Sequence, residues 1–402
     1  MTHPSPRHAL DDPRLSERVN LFPESVIREM TRIAARHDAV NLGQGFPDFD
    51  PPREMVDAAH RALDGPYNQY ATTWGTANLR QAVADKLARF NGLDDVDPDA
   101  NVTVTCGATE AMMCAMLSLV DPGDEVVLFD PYYENYGPDA VMSGAKLRTV
   151  PLRPDQAFTF DEDALTAAFS DATKAIIVNT PNNPTGKVFT RDEQRVIADL
   201  CIDHDVVAVT DEIYEHILYD GREHVSLATL DGMRERTLTI SGASKTYSCT
   251  GWRVAWATAP AEMSIAMRRT HDFLTVGAPH PLQEAVAVAL GFEDAYYDDL
   301  LDRYTQARTR LVAMLEGAGF QPVVPEGAYY IMADFSQVDA PAEAKEGSRA
   351  FATWLTREVG LTGVPGGSFY HEEGMGEDLI RFHFAATEAT LKAAEAKLAT
   401  LA

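Results

Sequence analysis

The sequence predicts an α/β protein: a large domain on a mostly parallel sheet covered by helices, then a smaller C-terminal α/β domain. Two observations carry this. From Asn101 onward, brief apolar runs rich in β-branched residues alternate with helix-like segments. That alternation is the signature of βαβ crossovers. Near Leu290 it gives way to one long helical pattern over residues 294–317.

The first 15 or so residues read as loosely ordered, and 25–37 as an amphipathic helix. Runs 102–105, 125–129, 175–179, 206–210 and 237–241 are bounded by turn residues and read as strands, with helical intervals such as 191–204. Run 252–258 follows its predecessor too closely for a parallel crossover and is expected to be antiparallel. Beyond the long helix come a strand at 328–334, a helix around 349–359, an apolar run at 379–385 and a final helix over 388–401. The expected division is an N-terminal segment, 1–50, packing with the small domain; a large domain, 51–290; and the small domain, 291–402.

The 402 residues carry 61 acidic and 34 basic side chains, a formal net charge of −27, and only eight of the basic residues are lysine. The acids are spread along the chain, which excludes a disordered acidic tail. Lysine depletion beside acid excess points to a solvated surface suited to high salt; the alternative is an ordinary acidic cytosolic enzyme. Either argues against nucleic acid or an anionic membrane as partner. Cys106, Cys114, Cys201 and Cys249 form no C-x-x-C pair and no zinc pattern, so no metal is expected and a reducing cytoplasm fits. The N-terminus lacks a secretory h-region, and no run approaches 18 apolar residues.

Candidate site residues follow the strands, where open α/β sheets hold ligands. Lys245 lies in Ser241-Gly242-Ala243-Ser244-Lys245, among small residues that permit close approach, with Arg253 eight positions on. Desolvation and nearby cations would lower its amine pKa, as Schiff-base chemistry requires. Alone, the segment reads equally as a surface turn. Asn179-Thr180-Pro181-Asn182-Asn183-Pro184-Thr185-Gly186-Lys187 is by composition a Pro/Asn turn. Asp211 ends a strand, where a carboxylate can simply cap a helix. Gly107, Ala108 and Thr109 open a helix whose amides and dipole suit a phosphate, though strand–helix corners are common. Tyr132 alone would be packing. Arg381, inside the apolar Leu379-Ile380-Arg381-Phe382-His383-Phe384, needs a buried anion. His383 reads as packed.

Together, and in this order, these segments resemble the class I/II aminotransferases, the fold-type I pyridoxal-phosphate enzymes. The match spans about residues 25–398. The resemblance implies pyridoxal 5′-phosphate held as a Schiff base on Lys245, which also shuttles the substrate proton. It implies that Arg253, Ser244 (or Ser241), Gly107, Ala108 and Thr109 hold the phosphate. Tyr132 would stack on the ring, Asp211 would pair with its nitrogen, and Asn183 and Tyr214 would bond its phenolic oxygen. Arg381, Gly45 and Asn183 would bind the substrate carboxylate. With Asn41-Leu42-Gly43-Gln44-Gly45-Phe46-Pro47-Asp48-Phe49 and Asn68-Gln69-Tyr70, the chain is most similar to the glutamine transaminase K, or kynurenine–oxoglutarate aminotransferase, branch. Tyr70 would then reach the neighbouring subunit's phosphate, implying a homodimer.

Cys249 departs from that pattern, as do Ile27 and the pair Val276 and Gly277, which fall where the branch carries aromatic or histidine side chains. The expected activity is ping-pong transfer from an L-amino acid to a 2-oxo acid, 2-oxoglutarate foremost. The donor stays open among glutamine, methionine, aromatic residues, kynurenine and aspartate. A carbon–sulfur β-lyase on the same scaffold and a non-catalytic cofactor-binding regulator are the rival readings.

Overall fold

The computed structural model describes residues 10 and 12–401, so the expectation for the first 15 residues falls largely outside them. Helix α1 (Val26–Arg36) starts where the Ser25 hydroxyl accepts the Arg28 N–H, and it buries Val26, Ile27, Met30 and Ala34. The two-residue strand β1 (Val40–Asn41) and helices α2 (Arg53–Asp64) and α3 (Ala77–Lys86) lead to β2 (Val102–Thr105). Then follow α4 (Ala108–Leu119), β3 (Glu125–Asp130), α5 (Tyr136–Met142), β4 (Lys146–Pro151), α6 (Glu162–Ala168) and β5 (Thr173–Asn179). Helix α7 (Arg191–Asp203) opens with a reciprocal cap between Thr190 and Glu193. Strands β6 (Val207–Asp211) and β7 (Thr237–Gly242), the short helix α8 (Ala243–Thr246) and β8 (Ala255–Thr258) complete the large sheet region.

That sheet has seven strands in the order β2-β8-β7-β6-β5-β3-β4. Strands β4, β3, β5, β6 and β7 are parallel neighbours. As expected, β8 is antiparallel, to both β7 and β2. The apolar runs are continuous because both faces are buried. On β3, Val127 and Phe129 enter one core and Val126 and Leu128 the other; on β5, Ile176 and Val178 oppose Ala175 and Ile177. Strand β4 lies at the sheet edge and was not expected from the sequence. Its burial alternates, with Lys146 and Arg148 exposed, so it lacks the apolar run that marks its neighbours.

Helices α9 (Ala261–Leu274) and α10 (His280–Ala289) pack onto the large region, and α11 (Asp294–Gly317) has the span expected of the long helix. Beyond it lie β9 (Gln321–Val323), β10 (Tyr330–Asp334), α12 (Ser348–Trp354), β11 (Leu361–Thr362), β12 (Val364–Pro365), β13 (Leu379–His383) and α13 (Glu388–Leu398). Strands β12-β13-β10-β9 form an antiparallel sheet, and β1 pairs with β11. Val26, Met30 and Leu42 share one hydrophobic core with Leu311 of α11, Ile331 of β10 and Phe382 of β13. Ile213, Tyr214 and Ile217, which follow β6, enter the same core. This is the α/β architecture expected: a large, mostly parallel sheet flanked by helices, and a smaller one. Among the described residues no helix is long and apolar enough to cross a membrane.

Candidate active site

The parallel register brings the strand ends together. Asn179 of β5 lies opposite Asp211 of β6, and Asp211 opposite Ile240 of β7. The turn carrying Asn183, the Asp211 carboxylate and the α8 turn carrying Lys245 therefore emerge side by side. The Asn179 side chain fixes the first of these: Oδ1 accepts the Asn183 N–H at 2.7 Å, while Nδ2 donates to the Asp211 carbonyl at 2.8 Å.

Lys245 is half-buried, and its Nζ donates to the Gly45 carbonyl at 3.1 Å. The same Nζ stands 5.6 Å from the ring centroids of both Tyr214 and Tyr329. Asp211 is buried and accepts the Tyr136 hydroxyl at 2.6 Å and the Ile213 N–H at 3.2 Å. Burial pushes its carboxyl above the usual carboxylate range, although the Tyr136 and Ile213 hydrogen bonds and the Lys245 charge pull the other way. Such a carboxylate has electrostatic demand left for a cation. The Tyr214 hydroxyl meets that of Tyr330 at 2.9 Å, and burial pushes it well above the ordinary tyrosine value.

Arg381 is fully buried in β13. Its Nη1 donates to Asn183 Oδ1 at 2.8 Å and its Nη2 to the Gly43 carbonyl at 2.6 Å. The guanidinium lies between the rings of Tyr330 and Phe369, 4.4 and 4.7 Å from their centroids. Nε has no partner, and among the described residues no carboxylate pairs with this cation. Gly45 must be glycine, because a Cβ there would collide with the Tyr330 hydroxyl. His383 is packed, as expected: burial first, and Arg381 second, hold its ring down to about 3.

A second cluster forms where β2 turns into α4. Gly107 has φ +85°, and a Cβ on it would collide with the Arg253 guanidinium. Arg253 itself is exposed and donates to the Thr250 and Cys106 carbonyls. Ala108 is half-buried and Thr109 exposed at the open end of α4. Ser244 is buried one residue before Lys245. The alternative, Ser241, is committed elsewhere: its hydroxyl donates to Glu215 at 2.5 Å. Tyr132 is half-buried and its N–H bonds the carbonyl of Phe369, the residue whose ring faces Arg381. Tyr70 joins neither cluster; it is 84 % exposed.

The structure thus brings Lys245, Gly45, Asn183, Asp211, Tyr214 and Arg381 into one linked cluster, and Gly107 against Arg253. Sequence reasoning missed Tyr136, Tyr329 and Tyr330. Tyr136 follows Tyr132 by four positions, and the tyrosine pair opens an apolar strand after Gly327-Ala328; these were the available signals.

A lysine at the carboxyl edge of a parallel sheet, near a buried carboxylate and a buried, incompletely partnered arginine, defines a fold-type I pyridoxal-phosphate enzyme. The groups present fit such a cofactor: a lysine amine, a buried carboxyl with its pKa raised by burial, and a glycine turn against the Arg253 guanidinium. The chain belongs to the family of class I and II aminotransferases, whose model matches residues 37–398. It is 40% identical over 394 residues to a probable N-succinyldiaminopimelate aminotransferase of Mycobacterium tuberculosis, covering 96% of this chain and 98% of the relative. It is 37% identical to human kynurenine–oxoglutarate transaminase 1, covering 92% and 94% of the two chains. The solved N-succinyldiaminopimelate aminotransferase of M. tuberculosis superposes with a TM-score of 0.92 at 41% identity, over 96% of this chain and 100% of that one. An Escherichia coli protein described as having a methionine aminotransferase function superposes at 0.88 with 36% identity, over 94% and 98%. The chain is therefore a pyridoxal-phosphate aminotransferase acting on an amino acid and a 2-oxo acid. The lyase and regulator readings are not favoured by these relatives.

Proposed function

We propose that this enzyme takes its amino group from L-amino acids with uncharged, largely apolar side chains and passes it to 2-oxoglutarate by a ping-pong mechanism. The observation that carries it is Arg381, a buried cation with a free Nε, held by Gly43 and Asn183. It holds the donor's α-carboxylate, with the Gly45 N–H and Asn183 beside it. Next to Arg381, Phe369 packs with Ile27, Val364 and Tyr133, so the adjoining wall is apolar. That wall suits methionine, which a structural neighbour's description names, better than aspartate.

When bound, pyridoxal phosphate supplies a protonated pyridine ring that accepts the electron pair left on the substrate Cα. Asp211 would pair with that nitrogen and keep it protonated. Tyr214 and Asn183 Nδ2 would bond the phenolic oxygen, and Tyr132 would stack on the ring. Ser244, Arg253 and the amides of Gly107, Ala108 and Thr109 would hold the phosphate. Lys245 would hold the aldehyde carbon, and its Nζ is the base that would take the Cα proton and return it. A donor panel with 2-oxoglutarate tests the specificity: kcat/KM for methionine is expected to exceed that for aspartate by roughly tenfold or more. Equal values, or the reverse order, would reject the apolar wall as the determinant.

We further propose a cytoplasmic homodimer in which 1–50 packs with a small domain, 291–402, against a large domain, 51–290. The core that Leu42 shares with Leu311 and Phe382 supports placing the N-terminal segment with the small domain. Phe273 is 91% exposed, with Leu274 and Val276 also exposed, and Asp272 accepts the Thr73 hydroxyl at 3.4 Å beside the Tyr70 segment. An apolar patch of this kind marks an interaction surface, here with a second copy whose phosphate Tyr70 reaches. Phe273→Asp is expected to shift sedimentation from twice 44.0 kDa towards 44.0 kDa. An unchanged dimer would remove this patch from the interface.

A further inference from the structure

Beside the Gly107 turn lies an ion pair between Glu110 and the buried His271. Glu110 lies in the first turn of α4, three residues after Gly107. His271 of α9 packs against it, Nδ1 to Oε1 at 2.6 Å, with its side chain fully buried. The other ring nitrogen, Nε2, meets the Thr73 carbonyl at 2.8 Å. A carbonyl and an ionised carboxylate both accept, an arrangement that favours a proton on each ring nitrogen. Glu110 for its part accepts the Cys106 N–H at 2.5 Å and the Thr275 hydroxyl at 2.7 Å, the pattern of an ionised carboxylate. Burial works against both charges, yet the mutual hydrogen bond and attraction outweigh it, raising the His271 pKa and lowering that of Glu110.

The position of this pair matters to any anion on the Gly107–Thr109 amides. An unpaired carboxylate in that turn would take the favourable interaction with the helix N-terminus for itself and repel a second anion. Paired, its charge is cancelled, while Oε2 still holds the amide of Cys106, whose carbonyl receives Arg253 Nη2 at 3.4 Å.

We propose that Glu110 and His271 are a positioning pair for the phosphate seat: His271 cancels the Glu110 charge, and Glu110 fixes the turn from Cys106 to Ala108. This rests on the cofactor reading above and concerns only the phosphate end of the ligand. The test uses the full-length chain stripped of cofactor and titrated with pyridoxal phosphate and with pyridoxal, which lacks the phosphate, following the absorbance of the lysine-linked form.

His271→Asn leaves the Glu110 charge unbalanced and is expected to weaken pyridoxal phosphate binding roughly tenfold. Pyridoxal binding should move less than about twofold, since it carries no phosphate for Glu110 to repel. Adding Glu110→Gln to His271→Asn should recover most of the lost affinity, which a merely structural role would not do. Equal loss for both ligands, no loss for either, or no recovery in the double variant overturns the proposal. If the native chain binds neither ligand, the cofactor reading itself fails, and this inference with it.

Discussion

Lys245→Ala is expected to lower kcat for transamination by roughly 10⁴-fold or more, since the proposed mechanism uses this one side chain as both covalent anchor and proton carrier. The fold should survive the change. Lys245 is only half-buried, its hydrogen-bond partner is a backbone carbonyl, and no carboxylate forms an ion pair with it among the described residues, so truncation breaks no salt bridge; the one charge it leaves less supported is Asp211, whose carboxyl then shifts further up. The variant should still retain pyridoxal phosphate through the phosphate turn and Asp211, but without the absorbance of the lysine-linked form. Single-turnover rates and spectra of the purified variant check both statements. Activity within about tenfold of the native enzyme would remove Lys245 from the proton-transfer role.

Arg381→Lys is the second large effect. The fork of a guanidinium serves Asn183, Gly43 and an incoming carboxylate together, whereas an ammonium on a flexible stem satisfies fewer of these acceptors in fixed geometry. We expect kcat/KM to fall by roughly 10²–10³-fold for donor and acceptor alike, since both present a carboxylate to the same place. Cofactor absorbance should be unchanged, which separates substrate binding from cofactor loss. A large fall for the donor alone, with the 2-oxo acid unaffected, would show that the two carboxylates do not share Arg381.

The strands that hold the site were legible because they are buried on both faces, which turns them into short β-branched runs ending at the residues that matter. Val102–Thr105 and Asp294–Gly317 have the expected boundaries. Lys245, Asp211 and Asn183 stood out because each closes such a run or follows it in a turn of distinctive composition. Arg381 stood out through a physical contradiction, a cation in an apolar strand. Tyr136, Tyr329 and Tyr330 did not, because an aromatic beside a strand end is ordinary packing until the fold sets its hydroxyl against Asp211, the Gly45 carbonyl or Tyr214. The Glu110–His271 pair was equally hidden: its members are 161 positions apart, and only the packing of α9 on α4 joins them.

Strand β4 was invisible for a different reason, and that reason bears on how the molecule behaves in a crowded solution. It is one of the two edges of the seven-stranded sheet, a row of backbone groups on which a stray strand could add itself. Lys146 and Arg148 stand exposed along it, Arg148 paired with Glu125, and Pro151 withholds a donor at its end. The side chains that spoil the apolar run thus guard the edge. Replacing Lys146 and Arg148 with valine would make β4 easy to recognise and would invite the sheet to continue into the next molecule.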